Sequence, residues 1–311
     1  MATTAVFRKE IPGPLDKDKH DGFDTRQGFT SYQMVPLNDA SRPSLNGSRP
    51  FLVRMSGGTV QIEVFSTSVA EISIAGFPPS KFQILKSPAQ SDLTFTIHAV
   101  GEGRTTIFAL DDNRTILDRM NVSVKKERPL TYNLIRLGDS LRETLRTMDQ
   151  LRSIMKTVEE VYLAQANVKL IRRNEVEAAK FRIKEDLKDP IDVSVPGRGS
   201  IRPNVRVVLR RRLDELGFFG EKVNLISSWR LTGTDGSLAG FTPDLGTTCI
   251  CEAKTNESSE ASAYAHEVGH ALGLRHETHI REELMNDQGQ DSFRMNQHDI
   301  DTVNPSGKGV P

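Results

Sequence analysis

The chain has 311 residues, well above the usual size of one domain, so two separate cores are expected. Its 41 basic and 41 acidic residues cancel and 37% of it is apolar, which excludes a disordered acidic chain and a nucleic-acid binder working by bulk charge. No run of apolar residues is long enough to span a membrane, and Met1 to Glu10 lacks the basic-then-apolar layout of a secretory signal. The expectation from that start is a protein cytoplasmic as made, with any export left to a leader-independent secretion system.

Residues 1–44 are rich in Asp, Lys, Gly and Pro without a sustained period, which predicts an extended or weakly ordered arm. Over residues 45–126 short β-type runs recur at Phe51–Met55, Thr59–Phe65, Val69–Ile74, Phe82–Leu85, Leu93–Val100, Thr105–Leu110 and Ile116–Val124, separated by turn signals such as Gly57-Gly58 and Pro78-Pro79. Phe95, Ile97 and Ala99 alternate with Thr94, Thr96 and His98, as in a sheet with one face on a core, and seven such strands predict a sandwich. His98 falls on the polar face and reads as a solvated surface residue. Through Ser68-Val69-Ala70-Glu71-Ile72-Ser73 and Gly101-Glu102-Gly103-Arg104-Thr105-Thr106-Ile107 the segment resembles bacterial immunoglobulin-like domains. That resemblance implies a spacer or docking module, facing a secretion-machinery or cell-surface partner.

Lys125-Lys126-Glu127-Arg128-Pro129 marks the boundary of a second domain, 127–311. Thr131–Leu137 reads as a strand, and Ser140-Leu141-Arg142-Glu143 has the spacing of a capping box. Leu141, Leu145, Met148, Leu151, Met155, Val158 and Tyr162 then follow at steps of three and four, predicting a long helix with its stripe on the core. Val168–Arg172 and Val223–Leu231 read as strands around an irregular, charged insert, so an α/β or α+β domain is expected. Arg206 and Arg210–Arg212 lack interleaved aromatics, so they read as a solvated face and no nucleic-acid partner is expected. Cys249 and Cys251 read as small core thiols.

Histidine is unevenly placed: of the seven, His266, His270, His276, His279 and His298 all lie near the C-terminus. Residues 266–276 read HEVGHALGLRH, after a good helix-forming approach that the cluster Asn256–Ser259 can cap. His266 and His270 are four apart, which stacks them on one helix face within reach of one ion. Glu267 lies about 100° round the helix, beside the coordination position that water would take, and is placed to act as general base. Gly273 can adopt the left-handed conformation that ends a helix, and the reversal can bring His276 to the same ion. Three neutral imidazoles suit Zn2+ and leave a fourth position open.

With the methionine of Leu284-Met285-Asn286 nine residues beyond His276, the chain resembles the metzincin metallopeptidases, and by that short spacing it is most similar to the matrixins. Leu130-Thr131-Tyr132, the stretch Asp235 to Pro243 and Asn296-Gln297-His298-Asp299-Ile300 are similar to other matrixin segments. The resemblance implies one catalytic zinc on His266, His270 and His276, Glu267 as the catalytic base, and Met285 as structural support beneath the metal. It also implies a peptide or protein substrate lying beside an edge strand formed by Leu238, Ala239, Gly240 and Phe241. With no histidine between His98 and His266 a second, structural zinc is not expected, and with no cysteine in residues 1–44 neither is a thiolate switch. The expected fold class is thus an all-β immunoglobulin-like sandwich followed by an α+β, zincin-like catalytic domain. The expected function is a zinc metalloendopeptidase, suited to a secreted effector or toxin, against the alternative of a non-catalytic adhesion protein with a vestigial zinc site.

Overall fold

The structure is a computed structural model that describes residues 3–8, 23–24, 31–37, 48–87, 89–194, 204–218, 223–234, 236–242, 248–253, 257–276, 283–286 and 293–306. Asp235, Pro243, Asn256 and His279 lie outside the described residues. The chain forms two compact units, one of residues 1–128, 164–168 and 295–311, the other of residues 129–163 and 169–294.

In the first unit the strands are β1 (Thr4–Arg8), β2 (Phe23–Asp24), β3 (Ser31–Pro36), β4 (Ser48–Ser56), β5 (Gly58–Val64), β6 (Ala70–Ser73), β7 (Phe82–Ser87), β8 (Ser91–Ala99), β9 (Gly103–Leu110) and β10 (Ile116–Lys125). They form a four-stranded sheet in the order β1-β4-β8-β6 and a six-stranded sheet in the order β2-β3-β10-β9-β5-β7. Phe51, Val53, Phe95 and Ile97 of the first and Val60, Ile62, Ile107 and Val122 of the second share one buried cluster, the interior of a sandwich. Each of the seven strand runs read from the sequence overlaps one of these strands, to within a residue at either end. His98 sits half-buried on the polar face and bonds Ser73 at 2.7 Å.

Within residues 1–44, the described stretches pair into the two sheets. Strand β1 pairs antiparallel with β4 and buries Ala5 and Phe7, while β3 pairs parallel with β10 and buries Met34 and Val35. These strands are only five and six residues long and mix polar with apolar side chains, so average composition does not reveal them.

In the second unit the elements are β11 (Arg128–Arg136), α1 (Met148–Ala166), β12 (Val168–Val176), β13 (Ile191–Asp192), α2 (Val205–Glu215), β14 (Val223–Ser228), β15 (Leu231–Gly233), β16 (Gly236–Leu238), β17 (Gly240–Phe241), β18 (Thr248–Glu252) and α3 (Glu257–Ala271). A five-stranded sheet runs β12-β11-β14-β18-β17, with β11, β14 and β18 parallel and β17 antiparallel at the edge. A small sheet, β13-β15-β16, stands beside it in the chain order.

The expected fold class is corrected here. The described residues are mostly β, 45% strand against 22% helix with four helices, and no separate α+β zincin-like domain follows the sandwich. The end of α1 and the helix α4 (Gln297–Val303) group with the sandwich strands instead of closing a self-contained second domain. Part of the reason is helical content that the pattern overstated. The long helix does not begin at Ser140: Asp139 takes the N–H groups of Leu141 and Arg142 on its carboxylate, and Leu141 and Leu145 are 70% and 83% exposed. The reciprocal cap forms seven residues later, where the Thr147 N–H bonds Gln150 Oε1 at 3.0 Å and the Gln150 N–H bonds Thr147 Oγ1 at 3.3 Å. From there Met148, Leu151, Met155, Val158 and Tyr162 are buried as the stripe requires. The charged insert, conversely, contains α2, capped by Asn204, whose buried face is Val205, Val208, Leu209 and Leu213. No helix among the described residues is long and apolar enough to cross a membrane.

Within the first unit, α4 is held by buried charge. Lys125, fully buried, donates to Asp301 Oδ1 at 2.6 Å and to the carbonyls of Asn304 and Ser306 at 2.8 and 3.0 Å, and Arg104 donates to Asp301 Oδ2 at 2.8 Å. Removing one member of a buried pair strands the other, at about 3–5 kcal/mol. Asp301→Ala is therefore expected to lower the urea stability of the chain by about that much, and a loss below about 1 kcal/mol would contradict this role.

Candidate metal centre

Helix α3 carries the histidine motif, and its end decides whether the third histidine can join the first two. The Gly273 N–H bonds the His270 carbonyl at 3.0 Å, the Leu274 N–H bonds the Gly269 carbonyl at 2.9 Å, and Gly273 has φ of +99°. These are the paired bonds of a Schellman ending, which needs a residue tolerant of the left-handed region. The chain reverses there, and His276 returns to the helix. The ligand atoms of His266, His270 and His276 lie within 4.8 Å of one another.

The protons of this triad can be counted. His266 Nδ1 faces the Leu284 carbonyl at 2.7 Å and His270 Nδ1 faces the Leu274 carbonyl at 2.9 Å. A carbonyl only accepts, so both Nδ1 atoms carry the hydrogen, and in the neutral form of each ring Nε2 is then a lone pair. Each of these lone pairs meets His276 Nε2 at 2.9 Å. Three imidazole nitrogens thus converge on one point, an arrangement that a cation can take. Two ligands of a tetrahedral ion bound at about 2.0–2.1 Å stand roughly 3.3 Å apart, a few tenths of an ångström from the observed spacing. The donor set therefore fits zinc, with both outer nitrogens fixed by backbone carbonyls as metal-binding imidazoles usually are.

Glu267 is buried beside the triad, and burial pushes its carboxyl up to about 7 against the lowering effect of the Thr242 hydroxyl, which donates to Oε2. The backbone of β17 lies against the same group: a Cβ on Gly240 would sit 2.6 Å from Glu267 Oε1 and 2.7 Å from its Cγ. Beneath the helix, Met285 is fully buried, and a Cβ on Gly269 would sit 2.6 Å from the Met285 sulfur and 3.3 Å from the Tyr162 hydroxyl. That hydroxyl donates to the Ala265 carbonyl at 2.7 Å, tying α1 to the helix turn before His266. Residues 283–286 form a turn closed by the Asn286 N–H on the Glu283 carbonyl at 3.1 Å. This one turn both seats Met285 under α3 and supplies the carbonyl that orients His266.

The expected substrate strand is split. Leu238 ends β16 and pairs with Leu231 in the small sheet, whereas Gly240 and Phe241 pair with Cys251 and Ile250 at the edge of the larger one. Ala239 lies between them, its carbonyl taking the Glu252 N–H at 3.0 Å. Cys249 and Cys251 are buried, and burial pushes the Cys249 thiol up, which suits core packing. His298 is exposed and remote from the triad in the chain. Gly269, Tyr162, Thr242 and the carbonyls of Leu274 and Leu284 are parts of the site that sequence patterns did not single out. Only the position of Gly269 between the two histidines offered a signal.

Gly269→Ala should force the new methyl against the Met285 sulfur and lower stability by about 1–3 kcal/mol. Thermal unfolding together with zinc titration checks this, and a variant indistinguishable from the parent in both would contradict the close packing.

No protein-family profile matches the chain, and no curated protein matches it. Among solved structures, the S-layer protein SbsC domains 4 and 5 are similar at 20% identity and a TM-score of 0.22, over 33% of this chain and 51% of that one. A chain of a chaperone–substrate complex is similar at 14% identity and a TM-score of 0.33, over 68% of this chain and 38% of its own length. The CARDB domain of a Pyrococcus furiosus protein is similar at 15% identity and a TM-score of 0.19, over 39% of this chain and 93% of its own. The chain thus spans about half the length of the first and less of the second, and likenesses this distant carry no argument about the site.

Proposed function

We infer that the chain is a zinc-dependent endopeptidase, with His266, His270 and His276 holding one Zn2+ and Glu267 as the general base. The observation that carries this is convergence: three imidazoles offer ligand atoms within 4.8 Å of one another, with the outer nitrogens of His266 and His270 held by backbone carbonyls. Glu267, buried on the residue following the first histidine, gives the centre a carboxylate able to move a proton.

Zinc, when bound, supplies Lewis-acid activation of water and polarisation of the scissile carbonyl. Glu267 takes the proton of the attacking water and delivers it to the leaving amine, so one carboxylate serves as base and then acid. The backbone of Gly240 and Phe241, at the sheet edge beside Glu267, is available to align an extended peptide by strand addition. No side chain of the chain needs to form a covalent bond to the substrate.

Purified protein supplied with zinc should cut peptides in a mixed-sequence library read by mass spectrometry, and a chelator should stop it. Glu267→Gln is expected to slow cleavage by about 10²–10⁴-fold with one zinc per chain retained. Absence of cleavage by the parent, or parental rates in Glu267→Gln, would overturn the assignment.

A further inference from the structure

A general base works only if its carboxylate is held in one orientation, and nothing in the His-Glu-x-x-His spacing does that. Glu267 sits on a helix, and its side chain has three rotatable bonds before the carboxylate. The contacts that restrain it come from far along the chain, from the edge of the sheet. Gly240 and Thr242 are two apart in extended chain, so they share a face, and that face is turned to Glu267. Phe241 points the other way, under the Arg206 guanidinium at 4.8 Å. The face nearest Glu267 is thus made of one residue with no side chain and one short hydroxyl.

The two residues do different things. Gly240 leaves the space that the carboxylate occupies, since any Cβ there would overlap Oε1, Cγ and Cδ at 2.6, 2.7 and 2.9 Å. Thr242 supplies one proton, and it goes to Oε2, with the Glu267 carbonyl a more distant acceptor at 3.3 Å. One carboxylate oxygen, Oε2, is therefore engaged by the Thr242 hydroxyl, while the absence of a side chain at Gly240 leaves the room that the rest of the group fills. Cys249, on the neighbouring strand β18, reaches only the Glu267 main-chain carbonyl, at 3.3 Å, so it does not share this role.

We propose that Thr242 is the positioning residue for Glu267, its hydroxyl fixing the carboxylate in the orientation from which it takes the proton of the attacking water. This rests on the hydrolytic function above, and it gives the strand that precedes α3 a second task besides aligning substrate. Misplacing a catalytic group by about 1 Å costs on the order of 10²-fold in rate, which sets the size of the effect.

The test compares the parent with Thr242→Val, which keeps the shape and loses the hydroxyl, and with Thr242→Ser, which restores it. Thr242→Ala replaces the valine variant if that chain fails to fold by thermal melt. The expected result is a kcat lowered by about 10- to 100-fold in the valine or alanine variant, with KM and zinc content unchanged, and recovery in Thr242→Ser. Crystal structures of the metal-free parent and Thr242→Val should show the Glu267 carboxylate turned from its parental position. Parental kcat in Thr242→Val, or a serine variant as slow as the valine one, would overturn the role. If the parent itself cleaves nothing, the hydrolytic assignment falls separately, and the metal-free crystal structures still decide the holding role: an unmoved carboxylate refutes it and a turned one supports it.

Discussion

Two backbone carbonyls determine what the histidine triad can do. By taking the Nδ1 hydrogens of His266 and His270, the Leu284 and Leu274 carbonyls expose both Nε2 lone pairs toward His276 Nε2. The same bonds that orient the rings thus gather three imidazole nitrogens at one point, a donor set that suits zinc.

The surrounding scaffold serves this geometry with small residues at points of close approach. Gly273 lets α3 end abruptly enough for His276 to return, Gly269 lets Met285 lie against the helix between the two histidines, and Gly240 lets the sheet edge reach Glu267. Bulk at any of these points would move His276, Met285 or Glu267. The turn at 283–286 links two of the requirements, because the residue that packs and the carbonyl that orients are neighbours.

What the sequence made legible follows from range. His266, Glu267, His270 and Gly273 are bound by helical geometry over less than two turns, so spacing alone placed them on α3 and at its end. The β runs of the sandwich were legible for the same reason, since alternation is local. The Thr242 hydroxyl meets Glu267 across 25 residues, and the Leu284 carbonyl meets His266 across 18, and a carbonyl leaves no trace in residue identity. The errors were local signals overridden by tertiary structure. A capping pattern at Ser140 lost to the Asp139 loop, and the apolar runs of β1 and β3 were too short to stand out from their polar surroundings. The expected self-contained α+β domain failed because the end of α1 and all of α4 belong with the sandwich, tied there in part by Lys125 and Asp301, a pairing that no periodicity reports.

The most direct measurement is X-ray absorption at the zinc edge of the full chain, purified with the metal present and brought to equal stoichiometry. One ion per chain with three imidazole nitrogens at about 2.0–2.1 Å, and loss of that shell on changing His276 to alanine, is the predicted result. A substoichiometric ion, or a shell containing sulfur from Cys249 or Cys251, would contradict the triad as the metal's home.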